Sequence, residues 1–518
     1  MTSLKKIRVL ISFIFFILTA VLFLDFIDII PVGIYDFVIF LQFIPSLVNF
    51  VDAITLTSFG FLIILILVIL FGRVYCSSIC PLGTLQDIIS NISRRISNKN
   101  SYGWSGGLRW LRYSILILTI ISVPLIGVLI LGILDPFSNF GRIFANLFRP
   151  FIILINNLVA LILESGNYYI IYPFDIKQIS IAAFIFSVII LFTLILMSVK
   201  KGRLFCNTIC PLGALLGLIS KFSIFKIKIN EDQCDSCGMC ETVCKAECIN
   251  PDTKEIDFER CVICFNCVKD CPTTAINYYK ESNKISIKKN PFSNGRRKFI
   301  VDMYSIIGVL SGLSFAQVKV TPEKESTKPV NRLAAVTPPG SHNISHFTST
   351  CTACHLCISA CPTQVLQPSI LHYGLKGFLQ PRMDYITNYC NYDCVRCTEV
   401  CPTGALEKLL PEVKKNIQLG KSIFVKENCI VETEKKECGA CSEHCPTKAV
   451  RMIPFENNLN IPEVKNEYCV GCGACEFACP TKPYKAIYVE GNPEHLKAEP
   501  PPDEIIEEEI DYKEEFPF

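Results

Sequence analysis

Twenty-four of the 29 cysteines in this 518-residue chain fall into six groups of four, at the spacing of iron–sulfur ligands. The first group is Cys234, Cys237, Cys240 and Cys244, and the second is Cys261, Cys264, Cys267 and Cys271. Cys351, Cys354, Cys357 and Cys361 form the third; Cys390, Cys394, Cys397 and Cys401 form the fourth. Cys429, Cys438, Cys441 and Cys445 make the fifth, and Cys469, Cys472, Cys475 and Cys479 the sixth. Proline follows the last cysteine of every group but the first. Three closely spaced thiolates wrap one face of a cubane, and a fourth backed by proline commonly ligates a neighbouring cluster. The expectation is about six [4Fe–4S] clusters carrying one-electron chemistry.

Other cysteine chemistries fit less well. Disulfide frameworks are small secreted domains without this fixed spacing, and zinc sites pair CxxC units across a longer gap. Cys351-Thr-Ala-Cys354-His355 matches a c-type haem attachment signature. Cys357 and Cys361 complete the cluster pattern immediately downstream, so no haem is expected and His355 is read as a bystander. All six histidines lie beyond residue 340, which excludes a bis-histidine haem within the apolar half of this chain. No GxGxxG loop precedes a helix, so no nucleotide or flavin site is evident. No paired carboxylates or nucleophile–base arrangement stands out, which points to an electron-transfer component without substrate chemistry of its own.

The elements that must position these ligands begin with a membrane module. Half the residues are hydrophobic, and the long apolar runs lie before residue 200. Val9–Ile30, Ile54–Phe71, Leu111–Ile133 and Ile179–Ser198 are expected spans, the second barely long enough. Val32–Phe50, with Asp36 and Pro45, and Pro150–Leu163 read as interfacial or re-entrant segments. Asp25, Asp28 and Asp36 at the outer face are read as ordinary interfacial charges, with proton acceptance from quinol as the alternative. The first span is too long, and too charged at its far end, for a cleaved signal peptide. A net charge of +3 without a basic stripe gives no reason to expect nucleic acid.

Lysines and arginines set the expected orientation. They cluster at Lys5, Lys6 and Arg8, between the second and third spans, and at Lys200, Lys201 and Arg203. Both ends of the four-span module and the first cluster pair therefore face the cytoplasm.

Within that module Gly72-Arg-Val-Tyr-Cys76-Ser-Ser-Ile-Cys80-Pro-Leu-Gly83 recurs as Gly202-Arg-Leu-Phe-Cys206-Asn-Thr-Ile-Cys210-Pro-Leu-Gly213. Duplication would bring the two CxxxCP elements together. Cys76, Cys80, Cys206 and Cys210 then offer a further thiolate-bound metal or cluster; the alternatives are packed thiols or a dithiol pair.

Gly295-Arg296-Arg297-Lys298 leads into an apolar run to Ala316 and resembles an internal twin-arginine signal. Its alternatives are a basic flank before a fifth span, which would also carry the last four motifs across, and a surface helix that leaves them inside.

The duplicated CxxxCP spans followed by a double cluster motif resemble NapH and NosR-type membrane polyferredoxins, over about residues 1 to 280. From Arg296 onward the chain is similar to NapG and MauM, with Pro338-Pro-Gly340 and Cys401-Pro-Thr-Gly-Ala-Leu406 among the matching residues. The resemblance to a NapH–NapG fusion implies electron flow from quinol, usually menaquinol, to a periplasmic reductase or cytochrome. It implies a bacterial inner-membrane protein whose C-terminal cluster domain lies on the external face. By similarity to four-cluster ferredoxin subunits, it also implies that the third motif pairs with the sixth and the fourth with the fifth. Relay from a cytoplasmic ferredoxin or flavodoxin, and a redox-sensing assembly factor, are the competing readings.

The fold class expected is an α-helical multi-span membrane module plus small α+β ferredoxin-like 4Fe-4S domains. Its parts are a membrane module at 1–222, a dicluster domain at 223–285, and a signal or fifth span with linker at 294–347. A four-cluster domain at 348–488 and an acidic tail at 489–518 complete it. Two features depart from the family pattern. Lys245 replaces the proline after Cys244, with Cys248 nearby as a buried thiol or an alternative fourth ligand. If fourth cysteines are swapped, Cys271 serves the first cluster and Cys244 the second. From Glu490 to Phe518 there are 11 acidic and two basic residues; the tail is read as solvated, with docking of a basic redox partner as the alternative.

Overall fold

The computed structural model describes residues 2–54, 58–97, 102–176, 179–280, 329–330 and 332–500. Its N-terminal region is helical, and small α+β cluster domains follow. Four helices are long and apolar enough to cross a membrane: Ser3–Leu24, Arg109–Ile126, Pro136–Ser165 and Ile181–Lys201. Their outward faces are apolar: Phe13, Leu118, Ile121 and Phe192 are each more than half exposed. A surface of that kind is matched by hydrocarbon and not by water. Small and hydroxyl-bearing residues face inward, among them Ser12, Thr19, Thr119 and Ser187, where close helix approach is favoured.

Contacts at the helix termini define two ends of the bundle. At one, Arg109 pairs with Asp257 at 3.4 Å and Lys201 with Glu247 at 3.5 Å. Phe71 stacks there on Phe225. This near end carries the first dicluster domain. At the other end Asp28 pairs with Arg396 at 2.5 Å, Asp36 with Lys408 and Asp52 with His346, both at 2.8 Å. Phe186 packs edge-on against Phe378. This far end carries the four-cluster domain.

Ser3–Leu24 and Arg109–Ile126 run from near to far, and Ile181–Lys201 runs back. Gly60–Phe71 also returns to the near end but has only 12 residues. At 1.5 Å per residue it covers about 18 Å, short of the roughly 30 Å of a hydrocarbon core. The expected second span is thus a half-length helix, seated on the bent pair Val32–Phe40 and Phe43–Asp52, whose axes turn by 95°. That bend agrees with the re-entrant reading of Val32–Phe50. Pro136–Ser165, which contains Pro150–Leu163, has the length of a span. Both its flanks nevertheless meet the far end: Gly127 lies against Ser349, and the Gln364 amide donates to the Asp175 carbonyl at 2.6 Å.

The cluster domains are built from two-stranded antiparallel sheets and short helices. Phe225–Ile229 pairs with Ile276–Lys280 in the first domain. In the second, Leu366–Pro368 pairs with Pro381–Met383, Val450–Pro454 with Asn460–Val464, and Ile417–Phe424 with Ile487–Lys497. The last strand carries the domain beyond residue 488. On the other side, Val336 is buried in it and Ala334 accepts from the Gly491 amide, so the domain also extends to residues before 348.

Candidate metal centres

Each cluster motif folds as a tight loop entering a short helix. The third cysteine occupies the second position of that helix in all six: Cys240, Cys267, Cys357, Cys397, Cys441 and Cys475. Left-handed residues flank the second cysteine in four motifs. Ser236 and Gly238 surround Cys237, Ile263 and Phe265 surround Cys264, Ala353 and His355 surround Cys354, and Gly471 and Gly473 surround Cys472. Such turns point successive backbone N–H groups inward, a concavity suited to an anion. The fourth and fifth motifs, whose spacing is irregular, do not share this flanking pattern.

The loops bring together three cysteines of one motif and the last cysteine of its neighbour. Cys234, Cys237, Cys240 and Cys271 line one cavity, and Cys351, Cys354, Cys357 and Cys401 another. Cys429, Cys438, Cys441 and Cys479 line a third. The complementary sets also converge: Cys244 on Cys261, Cys264 and Cys267, Cys361 on Cys390, Cys394 and Cys397, and Cys445 on Cys469, Cys472 and Cys475. The swap expected for Cys271 and Cys244 is what the structure has. The pairing of third with sixth and fourth with fifth is not: the structure joins third with fourth and fifth with sixth. Each joined pair is bridged by one two-stranded sheet, Leu366–Pro368 with Pro381–Met383 between the third and fourth motifs and Val450–Pro454 with Asn460–Val464 between the fifth and sixth.

Among the described residues no three His, Cys, Asp or Glu side chains are arranged to hold a single metal ion. Four thiols around a cavity suit a larger group, and the donor set fits [4Fe–4S] clusters. The fourth ligands share a further feature. Cys271, Cys361, Cys401, Cys445 and Cys479 each have the hydroxyl of the threonine two residues on at 3.1–3.9 Å from Sγ. The repeated Cys-Pro-Thr triplet carried this signal in the sequence. Cys244 lacks the threonine, and the buried Cys248 thiol stands 3.5 Å from its sulfur instead. Cys244 lies with the second set, and the Cys248 thiol reaches both Cys244 and Cys261 of that set.

The centres form a series. The Cys390 amide donates to the Cys472 carbonyl at 3.0 Å, which joins the fourth motif to the sixth. At the bundle, a Cβ at Gly132 or Gly141 would strike the backbone carbonyls of Thr352 and Cys354 respectively, so the third motif lies directly on the helices. His355 is not a haem ligand but a tether. Its Nε2–H donates to the Leu379 carbonyl at 2.9 Å and its Nδ1 accepts from Asn146 at 3.1 Å. Burial and the nearby Arg142 push its pKa down to about 3, so it stays neutral.

The CxxxCP cysteines converge as the repeat implied. Cys76, Cys80, Cys206 and Cys210 are all buried. Gly72 and Gly202, at φ +79° and +56°, end the preceding helices and turn the chain into the two motifs. Two arginines exchange across the repeat: Arg203 donates to the Cys76 carbonyl at 2.5 Å, and Arg73 to the Cys206 carbonyl at 3.2 Å. The paired Gly-Arg positions were visible in the sequence; their crossing was not. Asp28 and Asp36 are docking partners of Arg396 and Lys408, and Asp25 accepts from the Ile29 and Ile30 amides. The Arg296-Arg297 segment and the tail beyond residue 500 lie outside the described residues.

These centres define an iron–sulfur electron-transfer protein, membrane-associated through its apolar helices. Known proteins agree. Residues 54–100 and 183–230 match the family of 4Fe-4S binding domains, and 350–406 and 436–482 match families of 4Fe-4S dicluster domains. The chain is 24% identical over 271 residues to the putative electron transport protein YccM of Escherichia coli K12, covering 50% of this chain and 66% of that one. It is 27% identical over 194 residues to the ferredoxin-type protein NapH of Haemophilus influenzae, 37% of this chain and 54% of that one. Ferredoxin-type protein NapG of Escherichia coli K12 is 29% identical over 141 residues, 26% of this chain and 57% of its own. These are distant similarities to ferredoxin-type proteins with 4Fe-4S domains. No solved structure matches the chain.

Proposed function

We propose that this chain conducts electrons across a bacterial cytoplasmic membrane, from quinol to an exported reductase or cytochrome. The observation that carries the reading is the docking of two sets of cluster ligands on opposite ends of one apolar bundle. A chain that served one compartment would gain nothing from ligand sets separated by the roughly 33 Å length of a 22-residue helix. Lys5, Lys6, Lys200 and Lys201 put the near end in the cytoplasm by the positive-inside rule. The four-cluster domain then faces outward, and the Arg296-Arg297 segment would be the signal that sends it there.

In this reading bound [4Fe–4S] clusters, six in the ferredoxin motifs, supply one-electron transfer. The chain's residues set the order and environment of the centres. Asp28, Asp36 and Asp52 seat the four-cluster domain, and the five Cys-Pro-Thr hydroxyls tune the sulfurs they face. Similarity to proteins called NapH and NapG supports a redox partner beyond this chain. A second reading, relay from a cytoplasmic ferredoxin or flavodoxin, is favoured by the exposure of Cys237 at the near end.

The experiment is a tag at Phe518 in intact spheroplasts challenged with protease, combined with addition of a reduced quinol analogue to membranes while cluster absorbance is followed. Cleavage of the tag with quinol-dependent bleaching is the expected result. A tag protected until lysis overturns the transmembrane reading; bleaching by reduced ferredoxin alone overturns the quinol donor.

A further inference from the structure

We infer that the loop 369–380 of the four-cluster domain inserts its apolar tip into the phospholipid bilayer beside the far end of the helix bundle. The domain is then held by hydrocarbon as well as by its ion pairs.

The loop joins the paired strands Leu366–Pro368 and Pro381–Met383, and its base is fixed. The Ser369 amide donates to the Gln380 carbonyl at 2.8 Å, and the Leu379 amide to the Ser369 carbonyl at 2.7 Å. Tyr373 turns inward, its ring edge-on to Phe347 and its hydroxyl donating to the Val336 carbonyl at 3.2 Å. The aliphatic residues around it turn outward instead. Ile370, Leu371 and Leu375 are 41%, 58% and 75% exposed. Single apolar residues on a surface are ordinary, but three within six positions of one loop mark an interaction site.

Depth identifies what covers them. Phe378 packs edge-on against Phe186, and Leu379 is buried against Ala183. Both partners belong to the apolar helix Ile181–Lys201. Phe186 is five residues in, so Phe378 sits about 7.5 Å along the helix from its far end. A hydrogen-bond chain ties the loop to the same level. The Leu379 carbonyl accepts from His355, whose Nδ1 accepts from Asn146, and Asn146 donates to Ser187 at 3.0 Å. On that stretch of helix Ile185 and Ile189 are each more than half exposed, as a surface facing hydrocarbon is.

Leu375 shares one turn with Phe378, whose amide donates to the Leu375 carbonyl at 3.3 Å. The tip is therefore continuous with the lipid-facing side of the bundle. A second copy of the chain, or a partner protein, would have to share that depth with lipid. Lys376 is exposed on the same turn, and its long side chain can return its charge to the headgroups. Insertion also bears on the nearest centre, since the Gln380 amide donates to the Cys351 carbonyl at 2.8 Å. The inference holds whichever compartment the far end faces.

The test puts the purified full chain in nanodiscs of phosphatidylcholine carrying a diazirine in its acyl chain, irradiates, and maps the adducts by mass spectrometry. Adducts within 370–378 are expected, together with adducts on the helices that carry Phe13, Leu118 and Phe192. Adducts on those helices and none within 370–378 overturn the inference; if the chain is then a dimer by light scattering, the tip belongs to a second copy. Leu375→Asp offers a second measurement on an exposed position. If the chain is cut between residues 320 and 328, the variant domain should be retained on nanodiscs about tenfold or more weakly than wild type. Leu375→Phe should be retained as wild type is. Wild-type retention by Leu375→Asp, or equal loss from Leu375→Phe, also refutes insertion.

Discussion

Gly141→Ala should loosen the four-cluster domain from the helix bundle. A Cβ at Gly141 would come within 2.5 Å of the Phe23 ring and closer still to the Cys354 carbonyl oxygen. The ring can swing aside. The carbonyl cannot, because it belongs to the backbone of a ligand loop pinned by cysteines on both sides. Separation must therefore grow by something under 1 Å, and overpacking of that kind costs about 1–3 kcal/mol. Alanine is a better helix former than glycine by up to about 1 kcal/mol, so helix propensity works against the effect and any loss reports the clash. The assay inserts a specific protease site between residues 320 and 328, cuts the chain in membrane vesicles, and measures retention of the released domain on dilution. Retention should weaken by about 5–150-fold. Gly132→Ala, whose Cβ meets the Thr352 carbonyl oxygen at 2.7 Å, should act in the same direction. Gly33→Ala, with nothing within 4 Å, should have no effect. Full retention by Gly141→Ala, or an equal loss from Gly33→Ala, would refute the docked arrangement.

Arg396→Ala removes the Asp28 ion pair, a bond to the Ile30 carbonyl at 3.3 Å and a cation–π contact with Tyr35. It should cost about 1–3 kcal/mol in the same assay, whereas Lys408→Ala breaks a pair exposed on both sides and should cost about 0–1 kcal/mol. Cys248→Ala should keep the full iron content and shift the potential of the near-end centre that uses Cys244, since their sulfurs are 3.5 Å apart; loss of a cluster would make Cys248 a ligand. His495 bonds Thr337 at 2.8 Å, and burial followed by the nearby His342 pushes its pKa from 6.5 down to about 4. Folding therefore favours the neutral ring. Its contribution is complete above pH 6.5 and is lost as pH falls toward 4, by at most about 3 kcal/mol and less after solvent screening. Hydrogen exchange of the 417–424 and 487–497 strands should rise over that interval in wild type and not in His495→Gln.

The grouping of the cysteines was legible because it is local. Closely spaced cysteines fall within one loop, so the Cys-x-x-Cys-x-x-Cys runs of four motifs mark where thiols gather without reference to the rest of the chain. Three of the four expected spans were legible for a similar reason, as runs of apolar residues; Ile54–Phe71 fell short, and Pro136–Ser165, part of which read as interfacial, has the length of a span. The helix within Ile54–Phe71 is Gly60–Phe71, 12 residues long, beside the bent pair Val32–Phe40 and Phe43–Asp52. What the sequence withheld was relational. Cys361 could complete a set with the fourth motif or the sixth, and spacing alone does not choose. Asp28 and Asp36 looked like scattered interfacial charges until Arg396 and Lys408, more than 360 residues away, met them. His355 read as a bystander because its partners, Asn146 and Leu379, lie in different elements.

The order of the outer centres follows from these contacts and bears on where a partner must bind. The Cys351 and Cys390 sets sit against the bundle, one through Cys354 on Gly141 and the other through Arg396 on Asp28. The Cys469 set joins them through the Cys390–Cys472 hydrogen bond, and the Cys429 set follows because it borrows Cys479 from the sixth motif. An electron leaving the bundle thus meets the Cys429 centre last. Around that centre Lys435 pairs with Glu432 and Lys436 with Glu434, a mixed-charge surface with no single sign to steer an acceptor. Docking there must rest on shape and short-range pairing, so the electron-transfer rate to an acceptor should depend weakly on ionic strength. A steep salt dependence would place the exit elsewhere on the domain.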